Sequence, residues 1–406
     1  MNIGHFYAYF MGAGGIPSEA RFLAKAQAKL GHKVTAYCYE GPSGACQESA
    51  SGVMVKQFPW PKFPFSLPVD LGRILLQNSD RLDVLQFHGS FQPQNIAVAR
   101  TARRAGIPYV ASPEGIVTKG ILLKSGRLGL VKKLSYIQLF ERPFLQHAAA
   151  IRALSKTEVD HLRFFGVTAP CFIATEGIDR DSILQPLDGH FLQTRFPRLQ
   201  GKFLIGSMGR LDIYQKGLDV LLKSFADTLR QGLSTEKAAL VLIGPDFKGG
   251  MSKLLTLAKR LRVESGVFFV PQASGSEKFH MLASLDLFVH LSRVEGVPRV
   301  LREALAVGCP VLISAETNMG ELTNDFEAGC VVPPDPRLIA QDICSLVGNP
   351  VRLESMRKNA LRLASGTLDW LVIAGRTLAA YTSIVGEAAT RPPAMGYHPS
   401  LNGRIE

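Results

Sequence analysis

At 406 residues, 46% hydrophobic and 20% charged, the chain is too long for one ordinary core and too apolar for a disordered one, so two domains are expected. No run approaches the ~18–20 uninterrupted apolar residues of a membrane span, and the N-terminus lacks a basic then apolar leader, which points to a cytoplasmic protein. The net charge of +12 asks for an anionic partner; with no helix-turn-helix, zinc-finger or RNA-binding signature, a phosphorylated substrate or an anionic membrane surface is expected, not nucleic acid.

The chain opens on a strand that leads through Gly12, Gly14 and Gly15 into a helix over 17–31, "PSEARFLAKAQAKLG". Glycines there let the backbone approach a ligand, and a helix start offers free N–H groups to a phosphate. The spacing is not that of a dinucleotide fingerprint. Apolar runs at 33–39, 83–89, 107–113, 148–155 and 169–177 read as strands, with a helix at 95–106. Such alternation predicts a mostly parallel sheet flanked by helices. Basic residues cluster at 100–106 and 124–133, either as a solvated face or as one that meets an anionic surface. Asp179-Arg180-Asp181 spells D-x-D once, in a turn-like setting with too few oxygen ligands for a hard metal. The six cysteines form no C-x-x-C pair and read as small buried residues.

Periodicity pauses at 185–202, where the connection between domains is placed. A first domain over 1–185, a linker over 186–201 and a second domain over 202–365 follow. The second series has strands in "FLIGSMGRL", "AALVLIGP", "GVFFVP", "LDLFVHLS" and "CPVLIS", and helices near 216–231, 250–263, 276–284 and 298–307. Each half then forms a doubly wound, Rossmann-like sheet, and the two face a cleft at the carboxyl ends of their strands. A last helix is expected over 366–387 and a loose tail over 388–406.

Two stretches of the second half carry chemistry. In "GSMGRLDIYQKGLDVLLKSFA" Arg210 follows a strand end, and Lys216-Gly217 opens a helix with Leu218, Leu221, Leu222 and Phe225 on one stripe. A planar fork and a mobile ammonium so placed suit a diphosphate, or are two solvated cations. In "SRVEGVPRVLREALAVGCPV" Glu295 precedes Gly296-Val297, Pro298 fits the first helical position, and Glu303 lies inside the helix. Arg299 and Glu303 are i,i+4 partners and read first as an exposed ion pair. Glu303 also shares its face with Val300 and Val307, so a sugar hydroxyl is an alternative partner.

Taken in order, "GRLDIYQKGLDVLLKSF", "LVLIGP", "HLSRVEGVPRVLREALAVGCPVLIS" and "AGCVVPPDP" resemble the carboxyl-terminal half of the retaining glycosyltransferase group-one family, with its GT-B fold and E-x7-E motif. "GAGGIPSEARFLAKAQAKLGHKVTAY", "FHG", "GIPYVASPEG", "IRALSKTE" and "TEGID" resemble that family's first domain. The resemblance implies a nucleotide-diphosphate sugar in the cleft, the acceptor on the first domain and no metal or other cofactor. It implies that Arg210 and Lys216 bind the donor diphosphate and neutralise it as it leaves. Glu303 would accept hydrogen bonds from the ribose hydroxyls. Glu295, with the backbone at Gly296 and Val297, would hold the transferred sugar. Gly14 and Gly15 would let the first domain close over the phosphates, with His88 near the acceptor and the Trp370 helix packed back on the first domain.

The chain departs from the family pattern in four places. Glu114 stands where His is usual, Glu176 where Asn is common, Val297 where an aromatic is common, and Arg299 where an apolar residue is usual. Glu114 is thereby an acceptor-facing base, a contact to a particular sugar, or a sign of lost activity. The expected function is a retaining, metal-independent hexosyl- or related transferase that uses a glycan or lipid-linked acceptor in bacterial surface polysaccharide or lipopolysaccharide synthesis. It would be cytoplasmic or peripheral on the inner face of the plasma membrane. The alternative is a catalytically silent nucleotide-sugar-binding subunit of a glycan-assembly complex.

Overall fold

The computed structural model describes residues 1–40, 52–118, 127–183, 186–273 and 275–390. Two parallel sheets organise them. The first contains β1 (Asn2–Phe6), β2 (Lys33–Tyr39), β3 (Val53–Phe58), β4 (Val84–His88), β5 (Tyr109–Ser112), β6 (Ala150–Ala153) and β7 (Cys171–Ile173), in the spatial order β3-β2-β1-β4-β5-β6-β7. The second contains β8 (Phe203–Met208), β9 (Ala238–Ile243), β10 (Val267–Val270), β11 (Leu287–His290), β12 (Val311–Ser314) and β13 (Gly329–Val332), ordered β10-β9-β8-β11-β12-β13.

Parallel neighbours need crossovers, and crossover helices cover both faces of a sheet. That is why the strands read as unbroken apolar runs: all six residues of Ala238–Ile243 are buried. Each sheet reverses its winding once, between β1 and β4 in the first domain and between β8 and β11 in the second. Such switch points open a crevice beyond the strands' carboxyl ends.

Helix Leu218–Arg230 shows how local sequence sets these crossovers. Leu218, Leu221, Leu222 and Phe225 are all buried, as the stripe predicts. Gly217 caps it at φ 64°, and a side chain there would meet the Leu291 carbonyl oxygen at 2.0 Å. The turn before this helix is therefore pressed against the end of β11, which is what brings Lys216 to the switch point. Helix Arg299–Ala306 begins one residue later than expected, with Pro298 as its cap.

Three elements differ from the reading above. β3 and helix Val69–Gln77 flank a stretch with prolines at 59, 61, 64 and 68, whose turn signals hide the periodicity on either side. The connection near 185–202 is no loose linker: it carries helix Phe191–Arg195, and Leu192 and Leu199 are fully buried in the second core. Helices Pro336–Val347 and Pro350–Ser365 complete that domain before the chain crosses back. The return begins where Ile178 pairs with Asp369. Helix Trp370–Thr390 then lies against helix Gly15–Lys29, with Trp370 stacked on Phe22 at 5.9 Å and the Tyr381 hydroxyl donating to Gln86 Oε1 at 2.5 Å. It runs three residues into the expected tail, of which 391–406 lie outside the described residues, as do residues 124–126 of the second basic cluster.

Candidate active site in the interdomain cleft

The two switch points gather the residues singled out in the sequence. Gly14 and Gly15 follow β1, His88 ends β4 and Glu114 follows β5. Arg210 follows β8, and Glu295 follows β11. The domains touch here: a side chain on Gly115 would lie 2.3 Å from Gly296 Cα, and one on Gly296 would lie 3.0 Å from the Glu114 carbonyl oxygen. Glycine at both positions lets the two backbones meet, which sets the Glu114 backbone against Gly296 across the seam.

On the second-domain side, the Lys216 ammonium donates to Glu295 Oε1, and Ser292 Oγ donates to the same oxygen at 3.0 Å. His290 Nε2 stands 3.6 Å from it. Burial opposes ionisation of Glu295, but His290 and the Lys216 charge prevail and hold its carboxyl down at about 2. Glu295 is thus a permanent acceptor at neutral pH, suited to hydroxyl groups and unsuited to proton donation. Arg210 is exposed, with its guanidinium over the Phe247 ring at 4.8 Å. Val297 buries its side chain in the second core, leaving only its backbone to a ligand.

Glu303 corrects the i,i+4 expectation. It accepts from Lys278 Nζ at 2.6 Å, while Arg299 reaches into the first domain, to Glu19 Oε1, with Nη2 at 2.8 Å. Both lie in the wall of an interdomain cavity of about 170 Å³, together with Glu19, Phe22, Ile178 and Lys278.

On the first-domain side, His88 Nδ1 lies 2.9 Å from Glu114 Oε1, and Glu114 holds a left-handed backbone, φ 57°. Behind His88 comes His5, and behind His5 comes Gln27. Burial holds both imidazoles down at about 3 and raises Glu114 to about 8. The carboxyls of two residues on opposite sides of the seam are therefore pushed in opposite directions, Glu295 down and Glu114 up. Such divergence is typical of sites that divide acceptor and donor roles.

The residues that sequence reasoning missed are those that fasten the domains. Arg302, buried, binds Glu19 Oε1 at 3.0 Å and Glu176 Oε2 at 2.8 Å, and also donates to the Gly177 carbonyl. Two departures from the family pattern, Arg299 and Glu176, belong to this one cluster, Arg299 bonded to Glu19 and Glu176 to Arg302. Asn318 donates to the carbonyls of Glu295 and Gly296 at 2.9 and 2.8 Å, and accepts from Ser155 of the first domain at 3.2 Å. The one available signal for Glu19 was a carboxylate next to the buried Ala20 on an inward helix face. Its partner lies 283 positions away.

Among the described residues no three His, Cys, Asp or Glu side chains gather as ligands for a metal ion. Asp181 of the D-x-D instead lies 3.6 Å from Lys29.

These shifts predict a pH dependence of stability. Burial raises Glu114 to about 8 and both Glu141 and Glu158 to about 7, so the folded state holds protons that the unfolded state has released. Their contribution is complete below the unfolded carboxylate pKa of about 4.3 and is lost as pH rises through 7 to 8. The depressed His5 and His88 act oppositely, but only below about 6.5, where unfolded histidine binds protons. The melting temperature should therefore fall between about pH 6.5 and 8. A rise across that interval in a calorimetric series would contradict the assignment.

Two family models match in succession: "Glycosyl transferase 4-like domain" over residues 14–171 and "Glycosyl transferases group 1" over residues 192–362. A D-inositol 3-phosphate glycosyltransferase of Catenulispora acidiphila is 28% identical over 254 residues, 60% of each chain. A phosphatidyl-myo-inositol mannosyltransferase of Mycobacterium tuberculosis is 28% identical over 52% of this chain and 54% of its own. The matches thus span about half to three fifths of these relatives. Among solved structures, HepE of Anabaena with UDP and glucose superposes with a TM-score of 0.70 at 19% identity, covering 94% of this chain and all of that one. WaaG, a glycosyltransferase involved in lipopolysaccharide biosynthesis, superposes at 0.61 and 19% identity, covering 95% of this chain and all of its own. These likenesses establish the GT-B fold.

Proposed function

Because the chain belongs to the group 1 glycosyltransferases, two parallel-sheet domains of GT-B fold, we propose that it moves a sugar from a nucleotide-diphosphate sugar to a glycan or lipid-linked acceptor, with retention of anomeric configuration. The observation that carries this reading is the convergence at the two switch points. Lys216 bonds a permanently ionised Glu295, Arg210 follows the neighbouring strand end, and the backbones of Gly115 and Gly296 close the seam between the domains beside them.

The roles follow from the chemistry. A departing diphosphate carries growing negative charge, and fixed cations in a partly dry cleft stabilise it without reorganisation. Glu295 accepts from the sugar's hydroxyls, and its pair with Lys216 lets sugar and phosphate contacts form together. Glu303, on the wall of the interdomain cavity, accepts from the ribose hydroxyls. Gly14 and Gly15 open helix Gly15–Lys29 toward the phosphates, and a side chain on Gly15 would touch nothing within 4 Å, which leaves room for a ligand. His88 and Glu114 border the acceptor side. No metal is assigned a role in this scheme.

The acceptor class rests on the relatives, whose names include inositol phosphate and phosphatidylinositol substrates, and on the net charge of +12. An anionic acceptor or membrane surface suits that charge. No helix of the described residues is long and apolar enough to cross a membrane. A role in bacterial surface polysaccharide or lipopolysaccharide assembly at the inner face of the plasma membrane is part of the same proposal.

The test is direct. UDP-glucose or GDP-mannose at a hundredfold excess over Kd should stabilise the fold by about 2.7 kcal/mol, visible as a rise in melting temperature. NMR of the transferred sugar should then show the donor's anomeric configuration. An inverted product would refute retention. Donor binding with neither transfer nor hydrolysis would favour a silent binding subunit.

A further inference from the structure

We infer that Glu114 stands at neutral pH as an uncharged carboxylic acid, its proton held toward His88 by a one-way chain of hydrogen bonds, and that it is therefore neither a base nor a nucleophile toward the transferred sugar. The sugar as ligand rests on the function proposed above; the protonation state does not.

The chain has three links. His5 Nε2 is 2.7 Å from Gln27 Oε1, His5 Nδ1 is 2.9 Å from His88 Nε2, and His88 Nδ1 is 2.9 Å from Glu114 Oε1. All four side chains are buried, and a neutral imidazole carries one N–H and one lone pair. The Tyr381 hydroxyl already donates to Gln86 and can only accept from Gln27, so the Gln27 nitrogen turns toward Tyr381 and its oxygen toward His5. An amide oxygen only accepts, so the His5 proton sits on Nε2 and its Nδ1 is bare. His88 must then donate from Nε2, which leaves its own Nδ1 bare. The sole proton left for the last link is on Glu114.

The surroundings favour the same direction. Glu114 Oε2 is buried and has no hydrogen-bond partner among the described residues. A carboxylate there would leave an anionic oxygen uncompensated, which a carbonyl oxygen tolerates far better. The charges that face Glu114 come from every neighbouring element: Arg152 on β6, Arg302 from the second domain, Glu19 on the first helix, and Glu158 and Glu176, with Tyr7 after β1. Both cations are already engaged, Arg152 with the Thr175 carbonyl at 2.6 Å and Arg302 with Glu19 and Glu176. Burial raises Glu114 to about 8 against that mixed field. Oε2 is then an uncharged carbonyl oxygen, buried and without a partner among the described residues. A neutral acid has no charge with which to attack an anomeric carbon, so no ester between sugar and Glu114 forms.

Infrared difference spectroscopy on the full chain, wild type against Glu114→Gln at pH 7, tests the protonation directly. A protonated-carboxyl carbonyl band present in the wild type and missing from the variant is expected. Glu141, Glu158 and Glu176 contribute equally to both spectra and cancel. A difference spectrum with only carboxylate bands would overturn the proposal. The kinetic arm uses whichever of UDP-glucose and GDP-mannose raises the melting temperature. Wild-type kcat/KM should fall about tenfold per pH unit above about 8, a limb that Glu114→Gln, itself slower by up to about tenfold at pH 7, should lack. A loss beyond a thousandfold in a variant that melts normally would show that the anion is required and overturn the proposal. Absence of turnover from either donor in the wild type would refute the sugar-transfer reading, while the infrared band would still decide the protonation state.

Discussion

Lys216→Ala should slow sugar transfer by about 10²-fold or more, a loss of the order seen when one group that stabilises developing negative charge is removed. Lys216 sits where the Gly217 turn presses against Leu291 at the end of β11, and its ammonium bonds Glu295. The substitution removes one of two cations assigned to the leaving diphosphate. It also frees Glu295 from the charge that helps hold it at about 2. The loss should fall mainly on kcat, because the diphosphate gains charge only as the bond to the sugar breaks. Arg210→Ala should act in the same direction, and Glu303→Ala should instead raise KM for the donor. Steady-state kinetics on the three variants decides the matter. Wild-type constants in all three would place the donor elsewhere.

Arg302→Met should destabilise the protein by about 3–5 kcal/mol, the usual consequence of removing one partner from a buried ion cluster. Arg302 is buried between Glu19 of the first helix and Glu176 of the crossing segment. In the intact protein burial opposes ionisation of Glu19, yet Arg302 and Arg299 hold its carboxyl below the usual range. Burial and the neighbouring Glu19 charge instead push Glu176 well above it. Without Arg302 Glu19 too loses much of what keeps it ionised, and both carboxyls are held protonated in the folded state. Their folded pKa values then exceed the unfolded value of about 4.3, so the stability deficit should shrink below that pH and grow above it. Melting curves of the variant at pH 4.5 and 8 provide the check; a deficit independent of pH would assign Arg302 a packing role only. Since these contacts join the domains, the variant should also close less tightly on the donor, seen as a higher KM.

Much of the architecture was legible because parallel sheets write a simple pattern. Strands buried on both faces are continuous apolar runs, and amphipathic helices such as Leu218–Arg230 separate them. Legibility failed where local signals compete. Prolines between β3 and helix Val69–Gln77 read as turns, and the 185–202 connection lacks periodicity, although Leu192 and Leu199 are fully buried. Burial there is imposed by a neighbouring domain, not by a repeat in the local sequence.

The same division runs through the site. Arg210, Lys216, Glu295 and Glu303 could be named from residue type and spacing, because a strand end followed by a helix start fixes where such side chains stand. Glu114 could be named as a departure, though not understood as one. Its state depends on His88, His5 and Gln27, which come from β4, β1 and the first helix and meet only when the sheet assembles. Arg299 shows the limit most clearly: spacing paired it with Glu303 four positions on, whereas folding pairs it with Glu19, 280 positions away. The sequence by itself determined the two alternating halves and made Arg210, Lys216, Glu295 and Glu303 candidates for the donor side, since those follow from short-range pattern, residue chemistry and family resemblance. Only the tertiary structure decided which carboxyls are charged and what locks the domains together, because desolvation and long-range ion pairing depend on what is brought near, not on what is adjacent in the chain.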